Sequence, residues 1–196
     1  PQLIFESLNS TVVALSEGDK IRNFILMGLP TKLQNNFYEK YWNKIEVCTG
    51  YEVSAFVRDY LSVKQQSTPS LNKIYFTFKA YVEDEALETE GLLADLLSYA
   101  KLYEILLKGN TASRQLNACI TRLNRLESTV TRPFFLEVLR LFTEGKLSID
   151  DTAFIFLITE NYLFRRTMCE LPTNALNKIF LMLHKDVMRY DGTDDN

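Results

Sequence analysis

The chain has 196 residues, of which 46% are hydrophobic and 24% charged, with a net charge of −3 and a pI near 5.3. That length suits one large domain, or a domain with a piece of its neighbour, able to bury a core without disulfide or metal staples. A balance of 13 Phe and 10 Tyr against 7 Gly and 5 Pro excludes disorder and a turn-rich all-β fold, and the acidic total opposes a strong electrostatic grip on nucleic acid.

The opening Phe5-Glu6-Ser7-Leu8-Asn9-Ser10 reads as the end of a preceding unit, since no initiator methionine stands before it. Ser16 with Asp19 forms a carboxylate capping box, and Ile21, Phe24 and Ile25 follow on one helical face. Leu33, Phe37, Tyr41, Trp42 and Ile45 repeat at three-and-four spacing over Thr31 to Val47, and Val53, Phe56, Val57, Tyr60 and Leu61 do so over Tyr51 to Lys64. Residues 65–70 read as a loop, Leu71 to Val82 as an aromatic-rich helix and Glu83-Asp84-Glu85 as an acidic turn or helix start. Glu88 to Lys108 is the longest regular segment, closed by Gly109-Asn110.

A short helix spans Ser113 to Glu127, and Pro133 fits the first turn of the next, with Phe134, Phe135, Val138, Leu139 and Phe142 inward. Ser148 with Asp151 opens a helix that reaches about Cys169. Its segment Ala153 to Ile158 is apolar around the whole circumference, which predicts a place at the centre of the core. Asn174 to Met188 makes a last amphipathic helix, and residues 191–196 a frayed tail. The expected fold is all-α, an irregular bundle of eight or nine helices with no significant sheet.

Cys48, Cys119 and Cys169 are far apart and form no CxxC pair, so they read as reduced, mostly buried thiols. The longest unbroken apolar run, Ala153 to Ile158, is far short of the ~20 residues of a membrane span. The reading is cytoplasmic, with no membrane partner.

His184 is the single histidine, so a multi-histidine metal site is excluded and a serine triad would have to recruit it. No phosphate-binding GxxxxGK[ST] loop and no GxGxxG occur. Arg114, Arg122 and Arg125 fall within roughly 80° of one helix face, opposite Leu116, Cys119, Ile120 and Leu123. The face is either an ordinary solvated one or a weak, phosphate-tracking stripe for duplex DNA, extended by Arg132. Arg165-Arg166 follows Tyr162-Leu163-Phe164; one of the two needs an acceptor at the core boundary, through a structural salt bridge or at an anion site.

Phe5, Asn9 and the run Gly18-Asp19-Lys20-Ile21-Arg22-Asn23 together carry a resemblance. They are similar to a segment of the GmrSD-type, modification-dependent restriction endonucleases, where an FxxxN motif leads into a D-x-I-R-N helix. Tyr38-Glu39-Lys40-Tyr41-Trp42, Phe56-Val57-Arg58-Asp59-Tyr60-Leu61, Tyr162-Leu163-Phe164-Arg165-Arg166 and Leu171-Pro172-Thr173-Asn174 continue it in order along nearly the whole chain. That family joins a ParB/sulfiredoxin-like domain with a DGQQR motif to a helical middle and, in many members, an HNH-type nuclease.

The resemblance implies that residues 1–29 end the ParB-like domain and residues 30–190 form the helical domain. Phe5 and Asn9 are remnants of the family's active region. No cofactor is implied for this fragment, and ATP or GTP with a divalent metal for the full-length parent. The partners implied are the parent's N-terminal and C-terminal domains. The function expected is a non-catalytic helical domain of a phage-defence protein, supporting nucleotide handling and coupling it to DNA binding or cleavage. The alternatives are a homodimerising interaction module built on Leu71 to Val82, and a fragment retaining nucleotide hydrolysis.

Overall fold

Reciprocal bonds start the first helix: the Ser16 hydroxyl accepts from the Asp19 amide, and the Asp19 carboxylate accepts from the Ser16 amide. The computed structural model describes residues 15–190, the side chains of Met188 and Tyr190 apart. Among these residues every regular element is helical, and the expected all-α class holds. The tail at 191–196 lies outside the described residues.

In chain order the helices are α1 (Glu17–Leu26); α2, a run of an α-helix (Thr31–Phe37), a π-helical turn (Tyr38–Trp42) and an α-helix (Asn43–Cys48); α3 (Val53–Gln65); α4 (Ile74–Asp84); and α5 (Thr89–Lys108). There follow α6 (Arg114–Asn124), α7 (Arg132–Thr143), α8 (Ile149–Met168) and α9 (Leu176–Tyr190). Leu71–Lys73 and Thr129–Thr131 are single 3-10 turns leading into α4 and α7. Glu83 and Asp84 finish α4 instead of making a separate acidic turn, because the helix runs on until Glu85 caps it.

The chain divides into two units, one holding the residues up to Leu61 and Pro69–Lys101, the other Ser62–Thr68 and Leu102 onward. In the first unit α1 packs on α4, where Phe24 meets Tyr75 and Phe78 edge-on at 6.3 Å. Gly18 permits the close approach of α1 to α3, since a Cβ there would stand 3.0 Å from that of Val53, and its amide donates to Ser54 Oγ at 3.0 Å. Lys73, the residue before α4, provides no side-chain cap. Glu17 of α1 does so instead, accepting from the Tyr75 amide at 2.7 Å. The π-helical turn buries two consecutive aromatics, Tyr41 and Trp42, which ordinary helical spacing would turn apart.

The second unit centres on α7, whose residues from Phe134 to Leu139 are all buried. Phe135 stacks on Phe156 of α8 at 4.0 Å, and α8 packs most extensively on α6. Asn124, the last residue of α6, donates to the carbonyls of Leu106 and Leu107 and so satisfies the end of α5. Gly109 then takes the left-handed conformation, φ 59°, that the end of α5 requires.

The expected central position of α8 is overturned. Only the side bearing Thr152, Ala153, Phe156, Thr159 and Leu163 is buried, while Phe154 is 59% and Ile158 51% exposed. The centre is taken by α7, so α8 lies at the margin of this unit's core with its second apolar side outward.

Candidate functional site

Arg114 and Arg125 are exposed on α6 and just beyond it. Arg122 of the same arc turns to α8, where its Nε lies 2.9 and 3.2 Å from the two carboxylate oxygens of Glu160. Arg132 donates to the Tyr103 hydroxyl at 2.8 Å and lies 5.5 Å from that ring's centre. It also rims a cavity of about 310 Å³ lined by Leu107, Asn124, Glu127 and Ser128. Two of the four arginines are therefore engaged in holding the fold, and two face solvent.

Arg165 is exposed on α8. Arg166 donates to the Pro172 carbonyl and, at 3.3 Å, to the Tyr162 hydroxyl, while its buried Nε has no hydrogen-bond partner among the described residues. Its acceptors are thus a backbone carbonyl and a phenol, not a carboxylate.

His184 stands in the middle of α9, beside Glu137 of α7. Its Nε2 lies 3.5 Å from Glu137 Oε2, an oxygen that also receives Arg140 at 2.8 and 3.1 Å. The cavity beside them, about 220 Å³, is lined by Pro133, Phe134, Leu181 and Lys185, with Val63 and Gln66. An imidazole beside a carboxylate can pass a proton, but among the described residues no hydroxyl or thiol nucleophile lines this cavity. The carboxylate is committed to Arg140, which suits a packing contact.

The resembling motif has a packing explanation where it is described. Asp19 caps α1, Ile21 is fully buried, and Arg22 reaches Asp19 at 3.0 Å and Glu46 at 3.2 Å. Glu46 also accepts from Trp42 Nε1 at 2.8 Å and, at 3.4 Å, from Tyr38. Its charge and partial burial push the Tyr38 phenol above the usual range. Phe5 and Asn9 lie outside the described residues. Gln65 ends α3 and Gln66 follows at φ 53°, with neither the Asp-Gly nor the Arg of DGQQR, so the residues present do not fit the family's nucleotide site. Among the described residues no group of His, Cys, Asp and Glu could hold a metal ion, and no helix is long and apolar enough to cross a membrane. Cys48 and Cys119 are buried, and Cys169 is exposed.

Among the described residues the outward side of α8 carries apolar side chains that the core does not use. At 100° per residue, Phe154, Leu157, Ile158, Tyr162, Phe164 and Met168 fall within roughly 160°, opposite the buried side. Asp150, Asp151, Asn161 and Arg165 share that arc and are exposed. The signal was present in the sequence as these polar residues, recurring at helical spacing through an apolar helix. No family model, curated protein or solved structure matches this chain.

Proposed function

We propose that this chain is a non-catalytic helical domain that joins protein parts, with the outward side of α8 as its docking surface. One observation supports this reading. The helix uses one side in the core and leaves Phe154, Leu157, Ile158, Phe164 and Met168 exposed along the other. Contiguous apolar surface of this kind marks contact sites, and aromatic and Met side chains are enriched in the centres of interfaces. The resemblance to GmrSD-type restriction proteins supplies a setting. There, a helical domain would support the nucleotide-handling domain and couple it to DNA binding or cleavage.

The test is Leu157→Glu combined with Ile158→Glu in the whole protein that carries this chain. Restriction of phage with modified DNA should be lost, while the helical circular dichroism of the purified chain is unchanged because both side chains face solvent. Full restriction by the double variant would remove the docking surface. On the same reading the purified chain hydrolyses neither nucleotide nor DNA above background. Turnover that disappears with Asn9→Ala would replace the docking role with an enzymatic one.

A further inference from the structure

We infer that the cavity between the end of α5 and the start of α7 binds a free α-amino acid with an apolar side chain. The ligand's carboxylate meets Arg132 and Ser128, its ammonium meets Asn124 and Glu127, and its side chain lies on leucine. This goes beyond the docking role of α8 and shares no residue with it.

The cavity, about 310 Å³, lies wholly within the second unit. Small-molecule sites run from roughly 300 to 1,000 Å³, so this one suits a ligand no larger than an amino acid. Leu106 and Leu123, both 3% exposed, give it an apolar wall together with Leu107. The other lining residues carry polar groups that the fold leaves unused.

Arg132 is the anchor of the positive pole. Its Nη1 donates to the hydroxyl of Tyr103, itself fully buried, so the guanidinium is held in place. Nε and Nη2, the two donors that fork onto a carboxylate, have no acceptor among the described residues. Ser128 stands at the N-cap of the turn leading into α7, yet its hydroxyl makes no cap bond. The Thr131 hydroxyl donates to the Ser128 carbonyl at 3.2 Å and fixes that turn.

Asn124 and Glu127 supply the opposite pole. The Asn124 Nδ2 is committed to the Leu106 and Leu107 carbonyls, which sets the amide's orientation. Its Oδ1 is left as an acceptor with no donor among the described residues. The Glu127 carboxylate has no hydrogen bond or ion pair among the described residues, although Arg132 lines the same cavity. Two opposite charges that do not neutralise each other favour a ligand carrying both. A simple anion would meet Glu127 as a like charge, and a simple cation would meet Arg132. Helix ends of matching sign add to this, with the last turn of α5 at Leu106 and Leu107 and the first of α7 at Arg132.

The test is nitrogen-edited NMR of the purified chain titrated with L-leucine from about 10 µM to 10 mM, the range expected of so small a ligand. The backbone amides of Glu127 and Ser128 and the side-chain amide of Asn124 should shift saturably. L-leucinamide lacks the carboxylate, N-acetyl-L-leucine the ammonium and glycine the side chain. Each should bind about tenfold or more weakly. Glu127→Gln should weaken L-leucine about tenfold and leave N-acetyl-L-leucine unchanged, since that carboxylate holds nothing in the fold. Arg132→Gln should abolish binding of L-leucine. Should it also unfold the chain by releasing Tyr103, Glu127→Gln and the two blocked ligands carry the test. No saturable shift over that range, or shifts only at residues remote from the cavity, overturns the site. Blocked ligands that bind as tightly as L-leucine overturn the amino-acid class.

Discussion

Arg122 and Glu160 tie α6 to α8 through one guidanidinium nitrogen shared between both carboxylate oxygens, at 2.9 and 3.2 Å. The Arg122 side chain is 41% and that of Glu160 22% exposed, so solvent screens the pair and its worth is modest. Arg122→Gln should lower stability by about 1 kcal/mol, a fall of roughly 2–4 °C in Tm for a domain of this size. Combining it with Glu160→Gln should add little beyond either single change, as measured by denaturant unfolding. Fully additive losses would show that the two residues act separately.

The same pair bears on DNA. With Arg122 held by Glu160, Arg114 and Arg125 are the members of the arc left to meet phosphate. Two contacts give a slope of about −1.8 for log affinity against log salt, not the roughly −2.7 of three. Arg114→Gln with Arg125→Gln should flatten that slope in a duplex-binding titration. A parent slope of about −2.7 would mean that Arg122 leaves Glu160 for the duplex.

Tyr60 is fully buried and donates to Asp95 Oδ2 at 2.6 Å. Burial first, and then the Asp95 charge, hold its phenol well above the usual tyrosine range. The folded chain therefore keeps this proton where the unfolded chain releases it near pH 10. The stability it contributes is whole below about pH 10 and is lost as pH rises beyond that. Tyr60→Phe should cost roughly 1–2 kcal/mol at neutral pH. It should also make the decline in urea midpoint above about pH 10 shallower, whereas an unchanged alkaline decline would assign it to other groups.

Glu17 caps α4 from a distance of 58 residues in sequence. Glu17→Ala should cost about 1–2 kcal/mol, because the Tyr75 amide loses a charged acceptor and α4 has no cap of its own. Amide hydrogen exchange should quicken in the first turn of α4. Glu17 also receives the Lys20 ammonium at 2.7 Å, and exchange unchanged in α4 would place its stabilising effect in that ion pair.

The helices were legible because apolar periodicity and capping residues act locally. Ser16 with Asp19, Ser148 with Asp151, Pro133 and Gly109 each stand where their chemistry required. What could not be read was which apolar side wins a place in the core. The helix from Ser148 has apolar residues all round, and only the burial of α7 decides that Phe156 faces inward and Phe154 outward. Arg122 and Arg166 escaped for a similar reason: their partners, Glu160 and the Pro172 carbonyl, are fixed by packing or by a turn. The cap from Glu17 to α4 leaves no mark in local spacing at all.

Hydroxyl-radical footprinting of the chain at sub-micromolar concentration tests the open face of α8 most directly. Met168 and Phe154, 68% and 59% exposed, should be modified at rates close to those of the free amino acids, while Phe156 on the opposite side is protected. Equal protection of Phe154 and Phe156, with Met168 slow, would return α8 to the centre of the core and contradict the docking surface built on it.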